Sequence, residues 1–191
     1  INDDDDLTVD IVSSVTVFEN AGPATFTVQI TDKANPAALG ATEQVINVTL
    51  NTGASTLAAT PPNNVAATPV DDFTAVMMSM LTFDSVMPAS QTQDVAIINE
   101  ANDINEPDEV FDLVLTAMML PRGVELGIDS QTATIVDDDT VTIVLSAPVA
   151  TTELDTGASS MATFTITYNG LSSQTVDLEL ATEVPALPAP T

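Results

Sequence analysis

The segment "IVDDDTVTIVLS" (residues 135–146) sets three consecutive aspartates between two runs of Val, Ile and Thr. Such residues favour strands, and a block of like charges interrupts one. One strand therefore ends at the aspartates and another starts at once, with no Gly- or Ser-rich spacer between them. The chain opens on nearly the same phrase, "INDDDDLTVDIV" (1–12), and the segments after the two phrases also correspond. "SVTVFENAGPATFTVQITD" (14–32) parallels "PVATTELDTGASSMATFTITYN" (148–169): a Glu, a Gly-containing turn, then an Ala-Thr-Phe-Thr run. Self-similarity of this kind marks a tandem repeat. Residues 1–6 read as the end of a preceding repeat, 7–139 as one complete repeat, and 140–191 as the N-terminal part of another, incomplete one.

Within the complete repeat, strand-like runs fall at about 8–18, 24–31, 44–50, 73–83, 94–98, 110–117 and 131–136. "TFTVQI" and "FDLVL" alternate, so one face of each is expected in a core and the other in water. Seven short strands punctuated by turn signals predict an all-β fold, an immunoglobulin-like antiparallel β-sandwich. "NTGASTLAATPPNNVAATPV" (51–70) is small, polar and Pro-containing and reads as a long loop. The Pro-rich "PALPAP" (185–190) excludes a central strand there. Met77, Met78, Met80, Met118 and Met119 read as core or edge filling. Asn47, in a glycosylation sequon, falls on an expected strand.

Charge narrows the function. Twenty-eight acidic residues face two basic ones, Lys33 and Arg122, for a formal net charge of −26. Phosphate backbones and anionic membrane surfaces would be repelled, so nucleic acid is excluded as an expectation, and with no run of about 18 apolar residues no direct membrane insertion is expected. Hydrophobic residues make up 45% of the chain, enough for a packed core. With no Cys, His or Trp, thiolate and imidazole metal sites are excluded, as are disulfides. No Gly-rich phosphate loop or nucleophile–base pairing is present, and no enzyme activity is expected.

The acids cluster. Glu19 comes after the first strand region; Asp71 and Asp72 precede Phe73. "NEANDINEPDEVF" (99–111) holds five more, and Asp137, Asp138 and Asp139 close the last strand. Loops of a sandwich gather at its two ends, so these clusters can share one pole. Carboxylates converging there need a counterion. Ca²⁺, which takes six to eight oxygens in flexible geometry, suits them better than Mg²⁺, which keeps its waters.

These acidic segments and the strands between them resemble a known family. "VDDFTAVMMSMLTFDSVMPASQTQDVAIINEANDINEPDEVFDLVLT" together with "QTATIVDDD" is similar to the Calx-β repeat, and the similarity restarts at residue 140. Calx-β domains are calcium-binding sandwiches found in sodium–calcium exchangers, integrin β4 and large surface adhesins. The resemblance implies calcium ligands at Glu19, Asp72, Asp103, Glu106, Glu109, Asp137, Asp138 and Asp139. Glu100 and Asp108 read as exposed loop charges, and Glu153 matches Glu19 by repeat position. The loop at 51–70 is longer than the family's usual turn, and Asn99 and Asn102 stand where acids often do.

The expected function is a calcium-binding structural or adhesive module of an extracellular, cell-surface tandem-repeat protein, with Ca²⁺ stiffening the inter-repeat junction. Its partners are calcium ions and neighbouring repeats, of the same chain or of further copies. Three alternatives compete. One is a filament subunit whose incomplete repeat is completed by strand complementation. Another is a calcium sensor of a membrane transporter. The third is a passive acidic spacer.

Overall fold

The structure, a computed structural model, describes residues 6–39, 42–54, 65–68, 71–98, 104–148 and 161–182. In chain order the strands are β1 (Leu7–Ile11), β2 (Val15–Phe18), β3 (Ala24–Asp32), β4 (Asn35–Leu39), β5 (Ile46–Ala54), β6 (Val65–Ala66), β7 (Ser79–Phe83) and β8 (Ser90–Val95). They continue with β9 (Ile104–Asn105), β10 (Glu109–Thr116), β11 (Val124–Leu126), β12 (Ser130–Val136), β13 (Thr142–Leu145), β14 (Ile166–Asn169) and β15 (Leu171–Ser172). The described residues contain no helix, and so none long and apolar enough to cross a membrane.

Two sheets form a sandwich. The first runs β11-β1-β3-β4, with β8 also paired to β3; the second runs β2-β12-β10-β5-β7, with β6 continuing beside β10. Val9, Ile11, Phe26, Val28 and Ile30 of the first sheet meet Ile46, Val48, Leu50, Phe111, Leu113 and Leu115 of the second, all almost fully buried. Phe111 anchors this core. Its ring stacks on Phe73 (centroids 4.3 Å, 15° between planes) and meets Phe26 edge-on at 6.2 Å. Contacts of this kind add to the burial that drives the sheets together.

Several elements differ from the sequence reading. The single run expected at 8–18 is two strands in two sheets. β1 pairs antiparallel with β3, then the chain crosses over, and β2 pairs in parallel with β12. Inward apolar positions stay in phase across the crossing (Leu7, Val9, Ile11, Val15, Val17), so period-2 patterning is blind to it. The run expected at 73–83 is strand only from Ser79. Phe73 makes an isolated bridge to Ile97, and the segment between is held by β5, whose Asn51 Oδ1 accepts from Met78 N and whose Thr52 Oγ1 accepts from Val76 N. Met78 takes a positive φ of 52° there. β5 reaches Ala54 and β6 lies at 65–66, so strand enters the expected 51–70 loop from both ends; residues 55–64 lie outside the described ones. The methionines are not core filling: Met77, Met78, Met80, Met118 and Met119 are all largely exposed, with Met80 on the edge strand β7. Asn47 lies exposed on β5, its Oδ1 accepting from the Thr82 hydroxyl.

β13 and β14 form their own two-stranded sheet. Aligning the acidic phrases and the Ala-Thr-Phe-Thr runs places Thr142 on Thr8 and Asn169 on Thr31. The registers coincide: Thr142 pairs Asn169 and Ile143 pairs Tyr168, as Thr8 pairs Thr31 and Val9 pairs Ile30. Val9 and Ile30 are buried beneath the second sheet, whereas Ile143 and Tyr168 are 40% and 43% exposed.

Candidate metal centre

One end of the sandwich gathers the carboxylates. β2 and β12 finish there side by side, Phe18 opposite Val136, and the Glu19 amide donates to Val136 O at 3.3 Å. That pairing carries Glu19 to the aspartates at the end of β12. Glu19, Asp137 and Asp139 each offer a carboxylate oxygen, and these oxygens lie within 4.8 Å of one another. All three residues are half-buried.

β10 begins at the same end, with Glu109 opposite Ile135. Asp72 is brought in by its neighbour: Phe73 stacks on Phe111, two residues into β10's core face. Asp72 is buried. Its Oδ2 accepts from the Thr68 amide, and its carbonyl accepts from Ile98 N at 2.9 Å. Glu109 shares a hydrogen bond with Asp72. Burial pushes the Glu109 carboxyl up to about 8, and the charge of Asp72, the Asp72 hydrogen bond, and the charges of Glu106 and Glu19 push the same way. Burial first, and the neighbouring acids after it, thus favour the protonated Glu109 carboxyl at neutral pH.

Asp137 is half-buried, but its carboxylate is tied down on one side only. Its Oδ2 accepts from Asn105 Nδ2 at 2.8 Å and its amide donates to Asp108 Oδ1 at 3.3 Å, while its Oδ1 is buried with no hydrogen-bond partner. A buried, unpartnered anionic oxygen is costly unless something positive meets it. The protein has nothing positive to offer. Lys33 sits just past β3 at the end where β1 begins and pairs with Glu125 at 2.7 Å; Arg122 precedes Gly123, whose carbonyl accepts from Leu7 N at that same end. Both cations of the chain therefore lie at the opposite pole. An all-oxygen set with an orphaned buried oxygen and no basic neighbour fits a hard cation of the calcium type.

The expected ligands fall into distinct groups. Glu19, Asp137 and Asp139 converge; Asp72, Glu109 and Glu106 adjoin them through the Glu109 carboxyl. Asp138 is exposed and outside the three-carboxylate group, its Oδ2 accepting from Asn20 Nδ2 at 2.8 Å. Asp103 lies outside the described residues, as do Glu100 and Glu153. Asp108 is not a free loop charge: it is half-buried and holds the Asp137 amide. Asn105, which the sequence did not single out, donates from Nδ2 to both Asp137 Oδ2 and the Asp139 carbonyl, the latter at 3.0 Å. Its position between Asp103 and Glu106 was the only sequence signal for it.

No family model matches the chain, and no curated protein matches it. Solved structures do. The chain is 23% identical to CBD12 from CALX1.2, with a TM-score of 0.50 over 69% of this chain and 44% of that one. It is 22% identical to calcium binding domain CBD12 of CALX1.1, with a TM-score of 0.49 over 71% of this chain and 49% of that one. The alignment spans less than half the length of either. The likeness to CBD12 from CALX1.2, together with the two packed sheets, makes this chain a β-sandwich of Calx-β-like fold.

Proposed function

We propose that this chain is a calcium-binding structural module of an extracellular tandem-repeat protein, in which a cation captured at the acidic pole stiffens the junction to the next repeat. The observation that carries it is the convergence of the Glu19, Asp137 and Asp139 carboxylates, of which Asp137 also has a buried, unpartnered oxygen, at a pole with no basic side chain. Glu19, Asp137 and Asp139 would hold the ion, with Asp72, Glu106, Glu109 and Asp103 extending the oxygen set and Asp138 at the rim. The ion would supply positive charge where the chain has none. β13 begins at Thr142, only Thr140 and Val141 separating it from Asp139, so a fixed pole also fixes the start of the next repeat. The replica of the β1–β3 register in β13–β14 supports a tandem organisation of 7–139 and 140–191. Adhesion and placement outside the cell rest on the resemblance to surface adhesins and on the charge of −26, which suits calcium-rich, saline surroundings.

A second reading is the calcium sensor of a membrane transporter, favoured by the likeness to CBD12 from CALX1.2. The two differ in the parent protein: membrane-spanning segments flanking this region would favour the sensor. The exposed face of Ile143 and Tyr168 equally admits completion by another chain in a filament, which electron microscopy of the native material would show.

The first test is thermal unfolding of the chain in excess EGTA and then with calcium, against magnesium and NaCl. A calcium-selective rise supports the proposal, since a ligand of the folded state alone stabilises by mass action. A rise no larger in millimolar CaCl₂ than in molar NaCl makes the pole a passive acidic surface and sinks it.

A further inference from the structure

The chain has seven methionines, and every one lies at the surface, from 45% exposed at Met87 to 104% at Met118. Methionine is ordinarily among the residues most often buried. Here the core cluster is built from Val, Ile, Leu, Phe and Ala, with no Met in it. The sulfur of this protein has been kept out of its interior.

Five of the seven border one end of the second sheet's outer face. Thr116 pairs Thr49 and Thr49 pairs Met80, a row across β10, β5 and β7. The neighbouring row, Leu115 and Leu50, is buried, so this one faces away from the core. Met80 ends the row on the edge strand. Met118 and Met119 follow Thr116 at its other side, two interstrand spacings or about 10 Å across. Met77 and Met78 lead into β7, and the Met78 amide donates to Asn51 Oδ1 of β5 at 2.9 Å. β10 starts with Glu109 at the acidic pole and runs away from it, so Met118 and Met119 lie beyond its far end. The chain has no Cys, His or Trp and a single Tyr. Exposed thioethers are therefore its readiest targets for a two-electron oxidant, and susceptibility follows exposure. A net charge of −26 repels anionic oxidants but not a neutral peroxide.

We propose that Met77, Met78, Met80, Met118 and Met119 form a site of reversible S-oxidation by peroxide, which turns this apolar end of the second sheet polar and leaves the core and the acidic pole unchanged. The step balances. A sulfur lone pair attacks one peroxide oxygen, the O–O bond breaks, and hydroxide leaves. The proton on the newly bound oxygen neutralises that hydroxide to water. Sulfur loses two electrons and the peroxide gains them. A dithiol reverses the step through methionine sulfoxide reductases, releasing water and a disulfide of the reductant. Oxidation normally damages a protein by putting a polar sulfoxide into its core. No core position is at risk here, so the modification changes the surface alone. This inference does not depend on the cation reading of the acidic pole.

The test treats the folded full chain with hydrogen peroxide and maps the sulfoxides by mass spectrometry over time. All seven methionines should oxidise in the absence of urea, Met118 fastest and Met87 slowest. The urea midpoint and the response to calcium should match those of the untreated chain, while retention on a phenyl resin falls. Methionine sulfoxide reductases with a dithiol should restore retention. A variant carrying Gln at all five positions, from Met77→Gln to Met119→Gln, should elute like the oxidised chain and not shift further with peroxide. Any of the five that oxidises only after urea is added overturns the site. A lowered urea midpoint in the oxidised chain overturns the sparing of the core. Retention that oxidation leaves unchanged overturns the switch in surface character.

Discussion

Calcium binding should release close to one proton at neutral pH. The Glu109 carboxyl, buried and facing Asp72, Glu106 and Glu19, titrates at about 8 against an ordinary value of 4.5. About nine-tenths of it is protonated at pH 7. A cation that replaces the shared proton must displace it, so the apparent Kd should fall about ninefold from pH 6 to 7, about fivefold from 7 to 8, and under about twofold from 8 to 9. Calorimetry in buffers of different ionisation enthalpy gives the proton count directly, about 0.9 at pH 7 and about 0.5 at pH 8. Stability of the metal-free chain has the opposite sense. The folded-state value is raised, so between 4.5 and about 8 the folded state binds more protons than the unfolded state. The stabilisation is complete below about 4.5 and is lost as pH rises through about 8. The full shift would correspond to about 5 kcal/mol, and screening at a half-buried pole brings it to about 2 kcal/mol. In EGTA the midpoint should therefore be about 4–8 °C higher at pH 5 than at pH 9. Buffer-independent heats with a flat Kd between pH 6 and 9 would refute the assignment of Glu109 as the displaced acid.

Asp137→Asn removes a like charge and the orphaned anionic oxygen together; the EGTA midpoint should rise, by about 1 kcal/mol of stability, while calcium affinity drops at least about tenfold by titration. Phe111→Ala empties the space between Phe73 and Phe26 and should cost about 3–5 kcal/mol in urea unfolding; a loss below about 1 kcal/mol would mean the three rings do not form the anchor described. Gly127→Ala should cost about 1–3 kcal/mol by the same assay, because its new Cβ meets the Asp10 Oδ1 that accepts from Ile128 N and fastens the turn into β12. Met78→Gly should raise the urea midpoint, by roughly 1 kcal/mol of stability, relieving a left-handed backbone at an exposed residue.

How far the sequence could be read depended on what alternation records. "TFTVQI" and "FDLVL" announced β3 and the heart of β10, with Phe26, Val28, Ile30, Phe111, Leu113 and Leu115 in the core. Alternation does not record short pairings made by turns: β4, β6, β9 and β11 have two to five residues each and no periodicity of their own. Nor does it separate a core methionine from an exposed one, since Met77 and Met80 sit in a run whose strand portion forms a sheet edge. Among the acids, residue type alone could gather Glu19, Asp72, Glu109 and the Asp triplet, because all flank strand ends. It could not distinguish Asp138, turned out to Asn20, from Asp137 and Asp139, turned in to Glu19.

The feature alternation hides most completely is the one that builds the site. Val15 and Val17 keep the phase of Val9 and Ile11, so nothing in the pattern reveals that the chain leaves the first sheet after Ile11. Had the run continued beside β3, Glu19 would end on the first sheet, away from β12. By crossing at 12–14 and pairing Phe18 with Val136, the chain sets Glu19 against Asp137, with Glu109 one strand further on. The crossing thus places together carboxylates that repel one another, at the pole farthest from Lys33 and Arg122. Repulsion among them opposes the pairing of β2 with β12, and a cation at the pole removes that opposition. In EGTA, β2 should therefore be the first strand to lose hydrogen-exchange protection, and calcium should restore it ahead of β3 or β5; protection of Val17 and Phe18 that is indifferent to calcium would separate the crossing from the cation.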